Sequence, residues 1–110
     1  MRSYLIDELS RRDVAKIEAF LDQNAMRSAL DGIFWVRIPE DLLSEQQFAH
    51  RDCRPHVFAV ETGEDWIKLE LFLRSLAGMR CPCGGYATRP QRDFIIRFAH
   101  AMIRDLDIRT

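Results

Sequence analysis

Cysteine is scarce in this chain, three in 110 residues, and the number is odd. That count excludes a disulfide scaffold and fits a reducing compartment, so a cytoplasmic location is expected. Long apolar runs are also missing. No stretch of about 18 apolar residues occurs, which excludes a transmembrane helix. The opening MRSYLIDELSRR sets acids where a secretory leader needs an apolar core, which argues against secretion. Five glycines and four prolines, none gathered into a linker, leave no boundary to divide the chain. There is no internal repeat and no low-complexity tract. Residues 1–110 therefore read as a single domain, in keeping with the common domain length of roughly 100–150 residues.

A dominant charge is lacking too. The net charge is −1, which favours neither nucleic acid nor an anionic membrane. The sign is unevenly spread. Residues 1–73 carry 9 basic and 14 acidic side chains, whereas residues 74–110 carry 7 Arg and 3 Asp. Arg74, Arg80, Arg89, Arg92 and Arg97 are thus the candidates for an anion or nucleic-acid surface. They do not cluster in a short window, and nucleic acid is not the favoured partner. Phosphate loops, nucleotide fingerprints and metalloprotease motifs are all absent.

What is present is periodicity. Over residues 4–25, Leu5 and Leu9, then Val14, Ile17, Phe20 and Leu21, recur at helical spacing. The segment reads as one helix, or as a short turn followed by a helix from about Arg11 behind a Ser10 cap, with Asn24 near its end. Asp31-Gly32 between apolar runs signals a tight type I′ hairpin leading into a strand at 33–38 that Pro39 stops. The rival extends the first helix to Leu30 with Gly32 just beyond its end. Residues 39–52 suggest a short helix starting near Glu40 or Ser44, with Leu42, Leu43 and Phe48 buried. Alternation over 56–61 and 66–73 around Thr62-Gly63-Glu64-Asp65 marks an antiparallel hairpin. A turn near 63–64 sets His56 opposite residue 71 or 72. Thr88 with Gln91 three residues on is a capping box, with Pro90 in the first turn. Phe94, Ile95, Phe98, Ala99, Met102 and Leu106 then form the apolar stripe of a last helix. The expected fold is α+β: a two-layer sandwich whose antiparallel sheet of three to four strands carries the N- and C-terminal helices on one face. Trp35, Trp66 and Phe72 would lie on the other face, a surface for a homodimer or a protein partner unless the 40–52 segment covers Trp35.

Chemistry is concentrated in two short stretches. HRDCRPH holds His50, Cys53 and His56 at intervals of three, and CPCGG holds Cys81 and Cys83. Register brings both stretches to one end of the sheet, so up to five sulfur and imidazole donors can converge where zinc needs four. A structural zinc site is the sharpest expectation, although C-x-C is one residue shorter than the usual knuckle. Two other readings compete. A strained Cys81–Cys83 disulfide would be redox-active, with Arg80 and the last helix depressing a thiol pKa. Alternatively, Cys53 with His50 or His56 would form a nucleophilic pair. The first is not a C-x-x-C opening a helix after a strand, so it does not match a thioredoxin-like pattern, the second needs a contact geometry that spacing does not give, and Cys53 can simply be a small buried side chain. The balance favours a small soluble binding, regulatory or adaptor module with a structural metal over an enzyme.

Overall fold

The computed structural model describes residues 2–77 and 81–109. Arg80, one of the five arginines considered above, lies outside them. Among the described residues, seven strands and three α-helices run in the order β1 (Ser3–Ile6), α1 (Arg11–Asn24), β2 (Met26–Arg27), β3 (Ile33–Arg37), α2 (Glu45–Ala49), β4 (His56–Thr62), β5 (Ile67–Glu70), β6 (Phe72–Ser75), β7 (Gly85–Tyr86) and α3 (Arg89–Asp105). Short 3₁₀ turns at Glu40–Leu42 and Arg51–Cys53 flank α2. The chain is α+β, with an open antiparallel sheet in the order β1-β5-β4-β3-β2. Beyond the end of β5, β6 pairs with β4, and β7 pairs with β6. The sheet is thus larger than the three to four strands expected.

The extra strands are short ones that local pattern hides. Leu5 and Leu9 share a helical spacing, yet Ser3–Ile6 pairs with β5. The chain then reverses through Glu8, whose φ is 57°, and Ser10 caps α1 by accepting a hydrogen bond from the Asp13 N–H. The helix therefore begins at Arg11, and only this second form of the expected helix stands. Asp31-Gly32 does sit in a hairpin, but not in a two-residue turn. Gly32 has φ +78° and Asp31 does not adopt positive φ. The loop runs from Ser28, which bonds to both the N–H and the carbonyl of Leu30, to the Ile33 carbonyl that accepts from the Ser28 N–H.

Five consecutive residues of β4, His56–Val60, are buried, and the strand is central, paired with β3 on one edge and with β5 and β6 on the other. Val60 faces Leu69, and His56 faces Ser75. Four steps along β4 are thus matched by six along β5 and β6, the two extra residues falling at the bend around Leu71. An even number preserves the alternation of faces. It also corrects the expected register, because His56 lies opposite Ser75 rather than residue 71 or 72.

Phe34, Val36, Phe58, Val60, Ile67, Leu69 and Leu73 form one core with Val14, Ile17 and Leu21 of α1 and Ile95, Ala99 and Met102 of α3. Phe58 meets Phe98 edge-on at 5.7 Å and Phe94 at 6.5 Å, and Phe98 lies 6.4 Å from Phe20 of α1. In the 40–52 segment, Leu42 and Leu43 pack against this core as expected, but Phe48 is 48% exposed under the Arg54 guanidinium. Gln47, not Phe48, is the buried side chain of α2. Trp35 stays half-buried. Trp66 folds onto Gly63, where a Cβ would meet its ring at 2.1 Å.

Candidate metal centre

The first half of the site is built by the end of α2. The His50 N–H bonds back to Gln46 and Gln47, and the chain tightens into a 3₁₀ turn in which the Cys53 N–H donates to the His50 carbonyl at 3.0 Å. A 3₁₀ turn has three residues per turn, so side chains three apart eclipse one another. His50 and Cys53 therefore project together, with Nδ1 and Sγ 3.9 Å apart. The second half is the turn through Cys81 and Cys83 that leads into β7. It lies tight against β6. A Cβ on Gly84 would come within 2.9 Å of the Leu73 carbonyl oxygen, so only glycine permits this approach.

The two halves meet. The donor atoms of His50, Cys53, Cys81 and Cys83 all lie within 4.8 Å of one another, and His50 Nδ1 is 2.9 Å from Cys81 Sγ. Tetrahedral zinc with the usual bond lengths sets its ligand atoms about 3.6–3.8 Å apart. The cluster is of that size, and the four residues could hold a metal ion. His56, the fifth candidate, is not among the four. It is 2% exposed on β4, and its Nε2 lies 3.3 Å from Cys83 Sγ. Ser75, across the ladder from His56, donates its hydroxyl to the Cys53 carbonyl. All three cysteines are free thiols, so no Cys81–Cys83 disulfide is formed.

The thiols are electrostatically unequal. Hydrogen bonding from Cys53, then from the backbone and side chain of Cys83, draws Cys81 down to about 6. The bond to Cys81 and burial together raise Cys53. Burial first, then the neighbouring thiols, pushes Cys83 up to about 12. The close sulfurs thus favour ionisation at Cys81 and oppose it at Cys53 and Cys83, where a thiolate gains from a cation beside it. Burial, and to a lesser degree the nearby Arg54 and His50, lowers the His56 pKa, which keeps this imidazole neutral.

No protein-family model matches this chain, and neither curated proteins nor solved structures give a significant match. The site must therefore be read from its own chemistry.

One part of that chemistry escaped the sequence. Gln47 and Gln91 each close a capping box, on Ser44 and Thr88. Both amides are buried, and they bond to each other: Gln91 Nε2 donates to Gln47 Oε1 at 2.9 Å and to the Leu42 carbonyl at 2.8 Å. This pair fixes α2, and with it His50 and Cys53, against the start of α3 that follows the Cys81–Cys83 turn. The repeated S/T-x-x-Q pattern was the available signal. Gln91→Ala strands Gln47 Oε1 and the Leu42 carbonyl without that donor, and is expected to cost about 1–3 kcal/mol. Urea unfolding should show a lower midpoint at an unchanged slope, and an unchanged midpoint would refute the linkage.

The C-terminal arginines divide. Arg74 on β6 is ion-paired with Glu70 at 2.7 Å, whereas Arg89, Arg92 and Arg97 belong to α3. Among the described residues, no helix is long and apolar enough to cross a membrane.

Proposed function

We propose that this is a small binding or adaptor domain in which Cys53, Cys81, Cys83 and His50 hold a structural zinc ion. The observation that carries this reading is the mutual approach of four donors from two separate chain segments to within 4.8 Å. Three soft thiolates and an imidazole suit Zn²⁺, and four protein ligands close its coordination shell, which is the mark of a structural rather than a catalytic site. The metal would fasten the α2 turn to the loop between β6 and β7. A thiol-dependent enzyme would need one of these donors released for substrate.

A two-layer sandwich with α1 and α3 on one face of the sheet is supported by Glu18 of α1 accepting from Thr62 of β4 at 2.8 Å, and by Phe94 and Phe98 of α3 meeting Phe58. A partner or homodimer surface on the opposite face is supported by a cavity of ≈ 610 Å³ bordered by Leu30, Ile33, Trp35, Phe72 and Leu76. Free thiols are compatible with a reducing, cytoplasmic setting.

Elemental analysis of protein purified without added metal or nickel resin tests the central claim. Close to one zinc per chain is expected, dropping to a small fraction in Cys53→Ser and Cys83→Ser. Metal-free protein with three freely titrating thiols would overturn it. Sedimentation equilibrium on the same preparation tests the homodimer arm, and a monomer at all concentrations removes it.

A further inference from the structure

The structure assigns His56 a role outside the coordination shell: we propose that its Nε2–H donates to the Cys83 sulfur, orienting that ligand and moderating its charge. This inference rests on the metal centre described above and concerns how that centre is tuned. Four donors already complete a tetrahedron, and His56 stands behind one of them. Its Nε2 is 3.3 Å from Cys83 Sγ, and both side chains are nearly fully buried, at 2% and 3% exposed.

The tautomer follows from accounting for the ring's two nitrogens. Among the described residues His56 Nδ1 is buried with no hydrogen-bond partner. A proton on Nδ1 would bury an N–H with nothing to receive it and leave the Cys83 sulfur without this donor. A proton on Nε2 gives the sulfur its hydrogen bond and leaves only a lone pair unmatched. A thiolate makes this choice stronger, because a charged acceptor roughly doubles the strength of a hydrogen bond.

Three thiolates and one neutral imidazole around Zn²⁺ carry a net charge of −1 in a half-buried place. An N–H aimed at one sulfur spreads that charge and lowers the sulfur's nucleophilicity. Outer hydrogen bonds of this kind typically alter metal affinity about 10–100-fold when removed. The ladder builds the arrangement. His56 and Ser75 face each other across β4 and β6, and each reaches the site, His56 at the Cys83 sulfur and Ser75 at the Cys53 carbonyl.

The test uses cobalt(II) as a spectroscopic substitute for zinc in the whole chain, comparing wild type with His56→Phe and His56→Gln. Phenylalanine fills the space without an N–H, and glutamine restores one near the Nε2 position. His56→Phe is expected to move the sulfur-to-cobalt charge-transfer band to lower energy, weaken zinc about 10–100-fold in competition with a chromophoric chelator, and speed alkylation of Cys83 as mapped by mass spectrometry. His56→Gln should return all three towards wild type. Band position reports the bound site itself, so general destabilisation does not mimic the shift. Wild-type values in His56→Phe would overturn the role while leaving the metal centre intact. Loss of nitrogen coordination in that variant would overturn it in favour of direct ligation. A wild-type protein that binds neither cobalt nor zinc would overturn the centre and this role with it.

Discussion

Chelation of the purified protein lowers its melting temperature by roughly 10–20 °C, yet leaves an α+β core that still unfolds cooperatively. This expectation combines a large linkage with a large independent core. A ligand held at about a thousand times its dissociation constant stabilises the native state by about 4 kcal/mol, and each kcal/mol moves the midpoint by about 4 °C in a domain near this size. Small zinc fingers unfold outright without metal because they have little else to hold them. Here none of the four donors belongs to the main apolar cluster, which runs from Leu9 to Ile108. Loss of metal should therefore release the α2 turn and the loop between β6 and β7 without dissolving the sheet.

The same binding event should release protons. Cys81, at about 6, is already ionised at pH 7.5, while Cys83, at about 12, and Cys53, raised, are not. Three thiolates less the one already present means two protons leave when zinc binds. Affinity must fall as pH falls from 7.5, because protons then compete for the sulfurs. Calorimetry in buffers of different ionisation enthalpy counts the protons, and scanning calorimetry with and without chelator reads the midpoint. A midpoint indifferent to chelator, with no zinc released, would remove the structural role.

Phe58→Ala should cost about 3–5 kcal/mol and lower the midpoint by roughly 12–20 °C, while zinc stoichiometry in the surviving folded fraction stays unchanged. Phe58 has no exposed surface and occupies the middle of the central strand. Its ring is gripped edge-on by Phe94 and Phe98, and Phe98 in turn touches Phe20, so one side chain joins the sheet to both long helices. Truncation loses the transferred area and leaves a void that the two neighbouring aromatic rings, Phe94 and Phe98, fill poorly. Denaturant unfolding with parallel metal analysis measures both quantities. A loss under about 1 kcal/mol would mean that this junction does not hold the layers together.

The two treatments separate the two supports of the fold. Chelation acts on the sulfur corner and spares the core, whereas Phe58→Ala acts on the core and spares the corner. If the main cluster and the metal site were one cooperative unit, both treatments would change both readouts.

Local pattern alone determined a good deal of this protein. The Thr88 cap, Ser10 and Ser44 each as one of two possible helix starts, the stripe from Phe94 to Leu106, and the alternation through Val57–Val60 and Ile67–Leu69 were legible because capping and amphipathic period depend on neighbours in sequence. The convergence of HRDCRPH with CPCGG was legible as well, since a hairpin carries its two ends to the same edge. Tertiary structure decided the rest. Ser3–Ile6 is a strand only because β5 offers it an edge, and four residues carry too little periodicity to announce that. The hairpin turns between residues 64 and 65 rather than at 63–64, since Thr62 pairs with Ile67, and the bend at Leu71 shifts the ladder by two more residues, so that His56 meets Ser75. Gln91 read as an ordinary capping residue and Gln47 drew no reading, and only the docking of α2 on α3 made them a buried pair. Which four of five candidate donors share one centre was decided the same way. His50 joined Cys53 through a 3₁₀ turn, while the strand carried His56 behind Cys83, because ligand geometry depends on side-chain direction in three dimensions and spacing in sequence does not specify it.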